Sequence, residues 1–270
     1  MNRAQSPDHV SFRPYPLDGV DAMSAHTARS YPRHAHDEYG IGLVDTGGHS
    51  SWSDRGQVEA GPGQFITVNP GEVHDGSPAA DAPRGWRILY FAPRVFAGLC
   101  ADSGAPAGRE PRLVAPVFAE PALRAAFERA FACAHAHAPP LEAETALLLF
   151  VAALRAQLGT RPRASRAPPA IAHARARLDD DPLVTPTLAE LARETGSSRF
   201  QLLRGFAREF GMTPHAYLVQ RRVALARALL RAGRSPADVA ASTGFCDQSH
   251  LTRCFRRHYG ITPHRFAARD

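Results

Sequence analysis

Leu191-Ala192-Arg193-Glu194-Thr195-Gly196 and Val239-Ala240-Ala241-Ser242-Thr243-Gly244 open two copies of one pattern near the C-terminal end of the chain. The first copy continues through Phe206, Phe210, Gly211, Met212, Thr213, Pro214 and His215. The second continues through Phe255, Tyr259, Gly260, Ile261, Thr262, Pro263 and His264. Gly196 and Gly244 stand 48 residues apart, whereas Leu202 and Leu251 stand 49 apart. The second copy therefore carries one extra residue in its turn, at Phe245-Cys246-Asp247.

Each copy reads as a helix-turn-helix. Ala192 and Ala240 are small enough for a partner helix to cross there, and the glycine four residues later takes the left-handed conformation that ends a helix. Ser198 with Gln201 forms a capping box for the next helix, and Asp247 is the matching N-cap in the second copy. Leu202, Leu203, Phe206 and Phe210 recur at helical spacing and are expected to face a core. The outer faces then carry Ser198, Arg199, Gln201 and Arg204 in one copy, and Asp247, Gln248, Ser249, His250, Thr252, Arg253 and Arg256 in the other. Arg, Gln, Ser and Thr are side chains that hydrogen-bond base edges or phosphates. Solvated charge on a helical bundle would explain one such face, but not two in the same order and spacing.

Charge supports this division. Residues 1–159 hold 13 Arg against 17 Asp and Glu, a net of −4, while residues 160–270 hold 19 Arg against 9 acids, a net of +10. Only a half that meets nucleic acid must displace counterions from phosphates. The chain has 270 residues, room for two domains of ordinary size, with 44% hydrophobic and 21% charged residues. No apolar run approaches the ~20 residues of a membrane span. The start, MNRAQSPDHVSF, lacks the apolar core of a secretory signal, so a cytoplasmic protein is expected. Cys100, Cys133, Cys246 and Cys254 show no C-x-x-C spacing and are expected to be buried thiols.

The first half gives β signals from Tyr31 to about Phe91. Tyr39, Ile41 and Leu43 alternate with small residues before the turn Asp45-Thr46-Gly47-Gly48. Gly61-Pro62-Gly63 leads into Phe65-Ile66-Thr67-Val68, and Trp86, Ile88 and Tyr90 alternate in a last strand. Short strands at this spacing predict a small sandwich or barrel. Residues 1–30 read as an irregular lead-in, and 98–119 show no period. Two helices follow, 121–137 with Leu123, Phe127, Ala130 and Phe131 on one face, and 141–158 with Leu147, Phe150, Val151, Leu154 and Leu158 on one face. This hairpin must cover either the barrel or the same hairpin of a second chain. It is expected to make the contact of a homodimer. Residues 159–169, with three Pro and three Arg, read as an extended basic linker.

The stretch Gly244-Phe245-Cys246-Asp247-Gln248-Ser249-His250-Leu251-Thr252-Arg253-Cys254-Phe255-Arg256-Arg257-His258-Tyr259-Gly260-Ile261-Thr262-Pro263 resembles the signature of AraC/XylS-type bacterial transcriptional regulators. The likeness covers about 170–270. It implies seven helices, with two helix-turn-helix units joined by one long helix and recognition helices in successive major grooves ~34 Å apart. Residues 30–92 are similar to the cupin-like effector domain of such regulators, through His34-Ala35-His36-Asp37-Glu38 and Asn69-Pro70-Gly71-Glu72-Val73-His74. Metal-binding cupins carry histidines where His34, His36 and His74 stand. Their glutamate, however, lies four or five residues beyond the second histidine, where this chain has Gly40 and Ile41, and Asn69 replaces the usual proline. No metal or other cofactor is therefore expected.

The resulting expectation is an α+β chain of two domains. Residues 1–158 form a cupin-like β-barrel with a helical hairpin that senses an effector and dimerises, and residues 170–270 form an all-α domain with two helix-turn-helix units. The function expected is sequence-specific, effector-controlled binding of double-stranded DNA at promoters, with RNA polymerase a further partner and no enzymatic activity. The alternative is a cupin-type metal-dependent enzyme fused to a DNA-binding tail. The effector is expected inside the barrel against His34, His36, His74, Trp86 and Tyr90. Imidazoles near their pKa would make its affinity depend on pH between about 5.5 and 7.5.

Overall fold

The computed structural model describes residues 8–53, 56–104, 110–136, 138–159 and 167–268. The described residues group into two units, one of 8–31 with those of 36–159, the other of 32–35 with 167–268. Of the expected linker 159–169, residues 160–166 lie outside the described residues.

The strands are β1 (Asp8–Pro14), β2 (Val20–Thr27), β3 (Tyr31–His34), β4 (Tyr39–Thr46), β5 (His49–Ser53), β6 (Gly56–Ala60), β7 (Phe65–Val68), β8 (His74–Pro78) and β9 (Arg84–Phe91), all of the first unit except β3, of which only Tyr31 belongs to it. Helix α1 (Pro93–Asp102), short strands β10 (Arg112–Leu113) and β11 (Val117–Phe118), helices α2 (Pro121–Ala136) and α3 (Pro140–Ala153), and β12 (Leu158–Gly159) complete it. One sheet runs β1-β2-β9-β4-β7-β11, a second β3-β8-β5-β6, and β10 pairs with β12. The two larger sheets meet through Trp86, whose ring lies edge-on to Tyr31 at 6.2 Å and to His49 at 5.5 Å.

The irregular lead-in expected for residues 1–30 is corrected by β1 and β2. These pair from Asp8 with Thr27 to Pro14 with Asp21, and β2 pairs along its whole length with β9. Val10, Phe12, Met23 and Ala25 are buried and alternate with Ser11, Arg13, Ser24 and His26, but each alternating run is short, and the pairing that orders the segment is non-local. Similarly, α1 occupies part of the stretch 98–119 that showed no period, and it buries Phe96, Leu99 and Cys100.

The two faces of the six-stranded sheet are sorted by alternation. Tyr39, Ile41, Leu43, Phe65, Leu89 and Phe91 share one core with Leu123, Phe127, Ala130, Phe131, Leu147, Phe150, Val151 and Leu154 of the hairpin and the turn after it. The hairpin thus covers its own sheet, and Leu147 and Val151 are fully buried there rather than offered to a second chain. Each such side chain contributes about 1.5–3 kcal/mol by leaving water. Trp86, Ile88 and Tyr90 point to the opposite face, and β4 makes room for them. A Cβ on Gly42 would stand 2.2 Å from Ile88 Cγ1, and one on Gly40 would stand 3.3 Å from the Tyr90 ring.

The second unit holds seven helices among the described residues: α4 (Pro169–Asp180), α5 (Leu188–Glu194), α6 (Arg199–Phe210), α7 (Pro214–Arg231), α8 (Pro236–Ser242), α9 (Gln248–Tyr259) and α10 (Pro263–Ala268). Their starts follow the sequence chemistry. Thr187 and Ser198 form capping boxes, and Thr213, Ser235 and Asp247 cap the next three helices. Gly196 and Gly244 end the first helix of each repeat with φ of 62° and 74°. Leu202, Phe206, Leu251 and Phe255 are fully buried, whereas Leu203 and Phe210 are only half-buried. Cys246, in the longer second turn, is exposed, against expectation, while its neighbour Phe245 is buried.

Candidate functional site

The DNA-facing candidates lie on α6 and α9, which repeat one arrangement on either side of α7. At 18 residues, α7 is about 27 Å long. Its base is fixed to α4 by Tyr217, which donates to Asp179 at 2.7 Å, and by Arg221, which pairs with Asp179 at 3.1 Å. On α6, Arg199 and Arg204 are exposed; on α9, Gln248, Ser249, Arg253 and Arg256 are exposed. None of these four arginines is held by an ion pair among the described residues. Their guanidinium groups are therefore available to phosphates or guanine edges.

Five of the expected readers have other partners. Ser198 Oγ accepts from the Gln201 amide at 3.2 Å, and Gln201 Oε1 accepts from the Ser198 amide at 3.0 Å, so both work as the cap. Asp247 accepts from the His250 amide at 2.6 Å, and the half-buried His250 ring meets Phe245 edge-on at 5.2 Å. Thr252 donates to the Gln248 carbonyl at 2.8 Å, which turns its hydroxyl back along α9. Pattern reading missed Phe200, which is 65% exposed in the first turn of α6 with the Arg204 guanidinium 5.4 Å over its ring. An exposed phenylalanine one place off the apolar stripe was its signal.

In the first unit, His36, His74 and Tyr90 come together. The His36 ring lies 5.0 Å from His74 and 5.2 Å from Tyr90. His36 Nδ1 donates to the Glu38 carbonyl at 2.9 Å and His74 Nδ1 to the Glu72 carbonyl at 3.0 Å. A carbonyl only accepts, so Nδ1 of each ring carries a proton, and in the neutral form of either ring Nε2 is the acceptor. Asn69 holds this corner: its side chain donates to Glu72 at 2.9 Å and to the Leu113 carbonyl at 3.0 Å, and accepts from the Leu113 amide at 2.8 Å. Burial, with the charge of His36 second, pushes the His74 pKa down to about 3. His74 thus stays neutral through the window 5.5–7.5 in which titration was expected.

His34 is not part of that cluster. Strand β3 ends at His34, so the alternation that would align it with His36 stops there. Its ring lies edge-on to His258 at 6.1 Å, and Pro32–Ala35 group with the helical unit. Trp86 sits instead with His49, Tyr31 and Arg84, whose guanidinium is 4.8 Å over its ring. A separate cavity of 420 Å³ opens at the outer end of the six-stranded sheet, lined by His9, Ser24, His26, Asp45 and Arg87 and also reached by Trp86.

Residues 19–151 match the AraC-like ligand binding domain, and residues 191–269 match a helix-turn-helix domain. The chain belongs to the AraC family of transcriptional regulators. It is 25% identical over 246 residues to the HTH-type transcriptional regulator YbfI of Bacillus subtilis, across 90% of this chain and 86% of that protein. It is 33% identical over 116 residues to the virulence regulon transcriptional activator VirF of Yersinia enterocolitica, spanning only 40% of that protein. The structure of ToxT from Vibrio cholerae, solved with an unsaturated fatty acid bound, aligns with a TM-score of 0.57 at 11% identity, over 99% of this chain and 97% of that one. That likeness is one of fold.

The regulator therefore has an effector-type domain and a DNA-binding domain, and its relatives are transcriptional regulators rather than enzymes. Within its β-domain, sequence reading passed over Arg84, which is 0% exposed. Arg84 Nε donates to His49 Nδ1 at 2.9 Å and Nη1 to the Arg29 carbonyl at 3.1 Å. Burial pulls its pKa down to about 10, and burial beside its charge pushes His49 down to about 3. A buried cation among neutral partners costs several kcal/mol. No spacing rule marks such an arginine, because its surroundings come from four different strands.

Proposed function

We propose that α6 and α9 enter successive major grooves of promoter DNA, and that a small molecule bound between the two sheets of the β-domain controls this binding. The observation that carries the DNA reading is the repetition itself: two capped helices with exposed arginines, held by one 18-residue helix. Arg199, Phe200 and Arg204 would read one groove, and Gln248, Ser249, Arg253 and Arg256 the next. A rise of about 27 Å along α7 is compatible with sites one helical turn apart.

The effector reading rests on His36, His74 and Tyr90, whose rings meet, and on Trp86 beside His49, which together offer aromatic walls and imidazole acceptors. ToxT was solved with an unsaturated fatty acid, so a chain of this fold accommodates a small organic acid. We further propose a homodimer through the outward side of α3, where Leu141 is 77% and Leu149 is 53% exposed. RNA polymerase is the partner that a promoter-bound regulator would meet. No described helix is long and apolar enough to cross a membrane; a promoter-binding chain would act in the cytoplasm, where bacterial DNA is.

The test is footprinting of the full chain on the DNA upstream of its own gene. Protection of two patches about one helical turn apart on one face is expected. A single patch, or protection unchanged by Ala at both Arg204 and Arg253, would remove the bipartite reading.

A further inference from the structure

Arg84 does nothing in the DNA-binding reading, and its surroundings do not explain why a guanidinium is kept there. It is fully buried, its hydrogen-bond acceptors are His49 and a main-chain carbonyl, and among the described residues no carboxylate pairs with it. Nη2 has no hydrogen-bond partner. Close by, the Tyr31 hydroxyl is also buried without a partner, in a side chain 9% exposed. Both residues pack on Trp86, Arg84 over its ring at 4.8 Å and Tyr31 against its edge at 6.2 Å.

Three features combine here. First, Nη2 can only donate and is charged, and the Tyr31 hydroxyl can donate beside it, so an acceptor that is negative suits both. Second, β8 leaves the side of Nη2 without a side chain: a Cβ on Gly76 would stand 3.4 Å from Nη2 and 3.3 Å from His49 Cε1. Third, Trp86 and Tyr31 give the site apolar walls. A buried guanidinium without a counterion is costly to keep unless an anion reaches it.

We infer that Arg84, with Tyr31, takes the carboxylate of the effector, so that the regulator responds to a small organic acid whose apolar body lies along Trp86. This rests on the proposed effector site between the two sheets. It narrows that site to one class of ligand and names Arg84 as the residue that selects it.

The test uses the full chain carrying Trp52→Phe, so that Trp86 is the remaining indole of two. Benzoate and octanoate are titrated against benzamide and octanamide, with sodium chloride and phosphate as further arms. Trp86 emission and the thermal midpoint are followed. The acids should change emission saturably and raise the midpoint, with the amides at least tenfold weaker. Arg84→Met should abolish the acid response and raise the midpoint of the unliganded chain, because it removes an uncompensated charge. Gly76→Val, which keeps Arg84 but fills the space beside Nη2, should also abolish it.

Amides acting as well as acids, or an acid response surviving Arg84→Met, overturns the carboxylate assignment and leaves the site standing. A midpoint lowered by Arg84→Met makes Arg84 a structural cation and also overturns it. Chloride or phosphate reproducing the acid effect reduces the finding to an adventitious ion only. No response to acids or amides removes the site between the sheets itself.

Discussion

The guanidinium of Arg222, midway along α7, donates to the carbonyl of Gly244 at 2.9 Å. The same group reaches the carbonyls of Pro182 and Leu183 at 2.7 and 3.1 Å and the Thr185 hydroxyl at 2.7 Å. One side chain of the central helix thus ties the approach to the first helix-turn-helix to the turn of the second. This is how two repeats 48 residues apart come to share one frame.

Gly244→Ala should therefore be costlier than Gly196→Ala. Both glycines have positive φ, which alone costs a side-chain-bearing residue about 1–2 kcal/mol. A Cβ at Gly244 would also stand 2.9 Å from the Arg222 guanidinium, whereas one at Gly196 meets nothing within 4 Å. Thermal midpoints and operator affinities of the two variants check this; equal losses would mean that Arg222 does not brace the second turn.

Readout should divide by residue type. Arg204→Ala and Arg253→Ala should each cost about 1–3 kcal/mol if the arginine grips guanine, with specificity relaxed at one base pair. An arginine on phosphate should instead weaken all sequences alike and reduce the salt slope by about one. Phe200→Ala should lose preference for a thymine at one position, since an exposed ring suits the thymine methyl. Binding to a randomised operator library at two salt concentrations separates these outcomes.

Ser198→Ala should behave as a lost cap rather than a lost reader. The expected effect is about 1 kcal/mol of stability with unchanged base preference, because Ser198 Oγ is bonded to the Gln201 amide. Ser198→Asp should restore most of it. A changed base preference in Ser198→Ala would return this residue to the DNA contact.

Acid should destabilise the β-domain early. His49 and His74 titrate near 3 when folded and near 6.5 when unfolded. Between those values the unfolded chain binds protons that the folded chain does not, so stability is present above about pH 6.5 and is lost as pH falls toward 3. Each group adds a slope of up to about 1.4 kcal/mol per pH unit. Midpoints measured from pH 7.5 to 4.5 should fall less steeply in His49→Asn; equal slopes would show that His49 is already protonated in the folded chain.

Leu141→Glu with Leu149→Glu should yield a folded monomer in sedimentation, since both side chains are exposed. Leu147→Glu should instead unfold the β-domain, because Leu147 lies among Phe127, Phe150 and Val151 in the core. Dimers persisting in the double variant would place the contact elsewhere.

Periodicity, capping residues and turn glycines are local, and where they govern structure the sequence was sufficient. Ser198, Thr213, Ser235 and Asp247 start helices, Gly196 and Gly244 end them, and the repeat needed no structure to be seen. The arginine faces of α6 and α9 follow, because helical period assigns one side to the core and the other to solvent. Pairing across long separations decided the rest. Strands β1 and β2 exist because β9 orders them, and Leu147 is core because α3 lies on its own sheet. His34 parts from His36, two residues away, because β3 stops between them, while His36, in the loop before β4, meets His74 at the start of β8. Arg84, Tyr31, His49 and Gly76 stand on four strands, and no local pattern records that the four positions converge on one uncompensated charge.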